Sequence, residues 1–79
     1  MNSITERRKT MIYDYSKLRG KIVEVYGKVA PFAKAMKLSE RTLSLKLNNK
    51  VYWKQPEIEL ACTLLGIPGS DIPTYFFAK

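Results

Sequence analysis

The chain has no histidine and one cysteine, Cys62. No intramolecular disulfide can form, and the thiolate or imidazole ligand sets that zinc requires are missing. Catalysis lacks its usual parts too. The four glycines make no phosphate-binding loop, and the carboxylates do not pair: Glu57 and Glu59, two residues apart, diverge on a helix. We therefore expect no metal, no cofactor and no enzyme. No apolar run approaches the ~18 residues a membrane-spanning helix needs, so no membrane partner is expected. The opening MNSITERRKT is charged with no apolar stretch behind it and does not read as a secretory leader. Cys62 sits in the apolar run Leu60-Ala61-Cys62-Thr63-Leu64-Leu65 and reads as a small buried hydrophobe, which suits a reducing cytoplasm.

What is present is positive charge, unevenly spread. The 79 residues carry a net +7. Residues 1–54 hold thirteen Lys/Arg against four acids, a surplus of +9, whereas residues 55–79 are net −2. A basic portion of this kind either attracts phosphates or keeps a small protein soluble. The length suits one domain. Residues 1–11, with Arg7-Arg8-Lys9, read as a flexible basic arm, and 12–79 as the folded part.

Periodicity inside 12–79 is helical throughout, with no strand pattern or repeat. Leu18, Ile22, Val25 and Tyr26 form one stripe on a helix capped by Asp14 or Ser16 and closed by Gly27. Pro31 suits the first turn of a second helix, whose inner face is Phe32, Ala33 and Met36. Ser39 caps a third, anchored by Leu43 and Leu47 with Leu38 and ended by Asn48-Asn49-Lys50. Gln55 and Pro56 open a fourth, with Ile58, Leu60, Ala61, Leu64 and Leu65 as its apolar face and Gly66 as its stop. A short fifth helix spans about Ser70 to Phe77. The expected fold is all-α, a compact five-helix domain with helices 2 and 3 as a helix-turn-helix.

At about 100° per residue, Leu43, Leu47 and Ser39 face inward on the third helix, and Arg41, Leu45 and Asn48 lie roughly opposite. Entry of this helix into a major groove makes Ser39, Glu40, Arg41, Ser44 and Leu45 the candidates for base contact. Arg41 is the best reader of guanine, with a solvated or phosphate-bound arginine as its alternative. Leu45 either meets a thymine methyl or turns into the core. The candidate phosphate contacts are Lys28 and Lys34 near the second helix, Thr42 and Lys46 on the third, and Asn48, Lys50, Tyr52 and Lys54 after it. Lys46 lies beside the inner stripe, so its stem can pack while its ammonium reaches a phosphate. Trp53 reads as a lid on the core rather than a DNA contact.

Phe32-Ala33, Leu38-Ser39, Thr42-Leu43-Ser44 and Asn48-Asn49-Lys50 together resemble the phage repressor/Cro class of helix-turn-helix proteins. The segments YDYSKLRGKIVE, FAKAMKLSERTLSLKLNNK, WKQPEIELA and the terminal YFF are similar to small Cro-like regulators of temperate phages of Gram-positive bacteria. The resemblance covers about residues 12–77. It implies a transcriptional regulator acting at phage operators in a lysis–lysogeny switch. The chain departs from the pattern at Lys37 and Asn49, where glycine is common, and at Val29-Ala30-Pro31, where a glutamine is often present.

The leading expectation is thus a Cro-like repressor on double-stranded DNA, a palindromic operator bound by a homodimer. Tyr75, Phe76 and Phe77 are the candidate dimer interface; their alternative is to close the monomer core, and one or two inside with one exposed is the expected division. The competing reading is a protein-binding modulator that pairs with a phage repressor and alters its DNA binding.

Overall fold

Asp14 accepts the Ser16 amide at 2.9 Å, which turns the chain into the first helix. The computed structural model describes residues 12–79; the basic-arm reading of residues 1–11 falls outside them. Five helices follow: α1 (Ser16–Tyr26), α2 (Val29–Ala35), α3 (Glu40–Leu47), α4 (Gln55–Leu65) and α5 (Ile72–Phe76), the last entered through a 3-10 turn at Gly69–Asp71. No strand occurs among the described residues. The all-helical, five-helix expectation is met.

The helix ends follow local chemistry. Gly27 (φ 83°) closes α1 and Gly66 (φ 69°) closes α4, both in backbone that a Cβ disfavours. α2 starts at Val29, earlier than Pro31 implied, and still places that proline in its first turn. The link from α2 to α3 is tight. Lys37 takes φ 62°, and the Leu38 amide donates to the Ala33 carbonyl at 2.9 Å. Ser39 then caps α3, its Oγ accepting the Thr42 amide at 3.0 Å. At the head of α4, Glu57 reaches back to accept the Lys54 amide at 2.9 Å, with Pro56 in the first turn.

The core gathers one face of every helix. Leu18 and Ile22 of α1, Phe32 of α2 and Leu43 of α3 are fully buried, joined by Ala61 of α4 and Phe76 of α5. Cys62 is buried as expected, and that burial pushes its thiol pKa up. Two stripe members depart from expectation: Val25 and Leu60 are exposed. Each lies at the edge of its apolar arc, beyond the reach of a neighbouring helix in so small a bundle.

Candidate functional site

α3 carries the polar surface. Leu43, Lys46 and Leu47 turn inward, while Glu40, Arg41, Ser44 and Asn48 are exposed. Leu45 is half-buried, so it neither stands free nor enters the core. The helix is rotated toward Lys46 relative to the sequence expectation. From Leu43, Lys46 and Leu47 are the i+3 and i+4 positions, the pair that completes an inward stripe.

Lys46 is the residue that the rotation affects most. Only 2% exposed, its ammonium meets Glu57 Oε1 at 2.9 Å and donates to the Tyr52 carbonyl at 2.9 Å. The expected phosphate contact from Lys46 is therefore corrected, because its charge is spent inside the fold. Burial opposes the ionised form of Glu57. The Lys54 amide, the Lys46 bond and the charges of both lysines outweigh it and hold the carboxyl below its ordinary value.

The exposed face is organised by a residue of α1. Arg19 Nη2 donates to Asn48 Oδ1 at 2.8 Å, and Asn48 Nδ2 donates to Ser44 Oγ at 3.3 Å. Guanidinium, carboxamide and hydroxyl thus form one chain across α1 and α3. Ser39 and Thr42 are tied to each other at the α3 cap, the Ser39 hydroxyl donating to Thr42 Oγ1 at 2.8 Å. Arg41 has no ion-pair partner among the described residues. Lys28, Lys34, Lys50, Tyr52 and Lys54 are also exposed, but they lie just before α2, on α2 and on the α3–α4 loop rather than on the α3 face itself.

Beyond α3, Asn49 takes φ 63° and clasps the segment before α1 with both ends of its carboxamide. Its Oδ1 accepts the Tyr13 amide and its Nδ2 donates to the Tyr13 carbonyl, each at 2.9 Å. Trp53 packs edge-to-face on Phe76, ring centroids 5.1 Å apart, and serves as the core lid that was expected. Phe76 is 1% exposed and cannot belong to an interface, which corrects that member of the expected trio; Tyr75 is half-buried and Phe77 exposed. Sequence reasoning missed Arg19 and the Asn49 clasp. Asparagine at a customary glycine position marked the left-handed turn, but nothing local marked a partner 36 residues away.

These features define a small, basic, all-helical domain that presents one ordered polar helix face to solvent. The chain belongs to the family described as "Protein of unknown function (DUF739)", whose model matches residues 11–79. It is also similar to the modulator of repression (MOR) of the temperate bacteriophage TP901-1 from Lactococcus lactis, known from a solution structure. Identity is 57%, the TM-score is 0.75, and the match covers 86% of this chain and 92% of that one. No match is found among curated proteins. The leading expectation of a Cro-like operator repressor is corrected by this similarity, since the similar protein is a modulator of repression. A fold does not choose its partner, and a polar helix face suits a protein as well as a groove.

Proposed function

We propose that this chain is a modulator of repression that binds the repressor protein of a temperate phage and thereby changes how the repressor engages its operator. The carrying observation is the 57% identity to the TP901-1 modulator over 92% of that chain. The α3 face is the contact surface in this reading. Its Arg19–Asn48–Ser44 chain is held by hydrogen bonds before any partner arrives, so little side-chain entropy remains to be lost on docking. Arg41, exposed and without an ion-pair partner among the described residues, is the charge this face offers a partner, arginine being enriched at protein interfaces.

The test is calorimetric titration of the phage repressor with the chain, alongside operator gel shifts of repressor, chain and mixture. The chain is expected to bind the repressor and alter its shift, and Arg41→Ala to weaken that binding about ten-fold. A sequence-selective shift by the chain alone, with no measurable binding to the repressor, overturns the reading.

A further inference from the structure

One mostly apolar concave surface is lined by no residue of α3. Three stretches converge there: the segment before α1 with Tyr13 and Tyr15, the loop with Tyr52 and Trp53 running into Gln55 and Ile58 of α4, and Phe76 and Phe77. They enclose an open cleft of about 190 Å³ over buried Ile58. Seven large apolar side chains are exposed among the described residues. Tyr52 and Phe77 line this cleft, and Ile12 and Val51 adjoin its lining residues in sequence. Single exposed apolar groups are ordinary on a protein surface; a gathering of them around a concavity marks an interaction site.

Size decides what fits. Sites for drug-sized small molecules run to roughly 300–1,000 Å³, which this cleft does not reach. A cavity of ~150 Å³ accepts benzene, so one phenylalanine- or leucine-sized side chain fills the space available here. Charge defines what surrounds that side chain. Lys54 stands between the lining residues Trp53 and Gln55, and Lys79 Nζ lies 5.9 Å from the Tyr13 ring centroid. Neither lysine has an ion-pair partner among the described residues. Two carboxylates fall within the lining stretches: Asp14, which is exposed, and Glu57, between Gln55 and Ile58, which is paired with Lys46 at 2.9 Å. Trp53, a lining residue, keeps its indole N–H buried with no hydrogen-bond partner among the described residues, so the ring contributes to the cleft as an apolar surface.

We propose that the cleft is a second docking point for the repressor, receiving one aromatic or leucine-sized side chain carried on an acidic segment of that protein. The inference rests on the modulator reading and adds to it an apolar anchor beside the polar α3 face. The two surfaces are joined through Asn48 and Asn49: the first bonds Arg19 on the α3 face, and the second holds the backbone of cleft residue Tyr13. Carboxylates flanking the anchor would meet Lys54 and Lys79.

Trp53 is the chain's single tryptophan, so a 15N-labelled sample shows one indole N–H resonance, a direct reporter of the cleft. Adding unlabelled repressor is expected to shift it. Tyr52→Ser with Phe77→Ser, both at exposed positions the core does not need, is expected to weaken repressor binding about thirty-fold. Circular dichroism and thermal melting of the double variant establish that it remains folded. Repressor binding with an unmoved indole signal and unchanged affinity in the double variant overturns the cleft proposal and leaves the modulator reading intact. Absence of repressor binding by the wild type, where the double variant is irrelevant, overturns both. An indole shift on concentrating the chain alone, which the repressor does not change, assigns the cleft to a second copy and overturns the proposal as well.

Discussion

Lys46 shows how one residue can mislead a reading of sequence. A lysine on a basic helix suggests a partner with phosphates, yet its place at i+3 from Leu43 commits it to the core once Leu43 and Leu47 turn inward. The fold tolerates this because Glu57 arrives from α4, eleven residues on, at 2.9 Å. No local pattern could show that arrival. The two partners differ in exposure, 3% for the lysine side chain and 19% for the glutamate, and this makes their removal unequal. Glu57→Ala strands a buried ammonium and is expected to cost about 3 kcal/mol, a fall in Tm of roughly 12–24 °C for a domain this small. Lys46→Met leaves a carboxylate that regains water and is expected to cost about 1 kcal/mol or less. Equal losses in thermal melts would show that the pair is not buried as described. The pH dependence follows from the lowered pKa of Glu57. A carboxylate whose folded pKa is depressed contributes stability above its unfolded value, here near 4.5, and loses it as pH falls through the folded value. Melts from pH 7 down to pH 3 should therefore show a smaller decline in Glu57→Gln than in the wild type.

The helices themselves were the legible part. Proline, serine and glycine signals, with the i, i+3 and i+4 apolar spacing, placed five helices and most of their inward faces. What escaped was the depth of each face, since Val25 and Leu60 carry the right spacing and still meet solvent. Sequence also marked Lys37 and Asn49 as occupants of customary glycine positions, and both adopt left-handed backbone, φ 62° and 63°. The two should respond differently to glycine. At Lys37 the exposed side chain has no hydrogen-bond or ion-pair role among the described residues, so Lys37→Gly relieves strain and is expected to stabilise by about 1 kcal/mol. At Asn49, glycine suits the backbone but abolishes both bonds to Tyr13, and Asn49→Gly is expected to destabilise by about 1–2 kcal/mol. Opposite signs of ΔTm for these two substitutions are the measurable consequence. A gain at both positions would mean that the clasp contributes nothing.

For the whole molecule, fold and partner proved to be separate questions. A short capped helix after a tight turn, in a basic chain, pointed to DNA, whereas similarity to a modulator of repression supports the proposal that this surface meets a protein. The charge that suggested phosphates keeps a physical role in either case, because a chain of +7 is steered toward any acidic surface. That separates the two proposed contact regions kinetically. Rim charges chiefly set the rate of encounter, and buried apolar anchors the rate of escape. Arg19→Ala with Arg41→Ala is therefore expected to lower the association rate with the repressor several-fold at low salt and to flatten its dependence on ionic strength. Tyr52→Ser with Phe77→Ser is expected to leave association nearly unchanged while raising the dissociation rate about thirty-fold. Surface plasmon resonance at two salt concentrations reads all four rates. If the arginine variant instead loses only residence time, the α3 face is a desolvated anchor. The charge that guides encounter must then lie elsewhere on the chain, and Lys54 and Lys79, the exposed cations beside the cleft, are the first to replace.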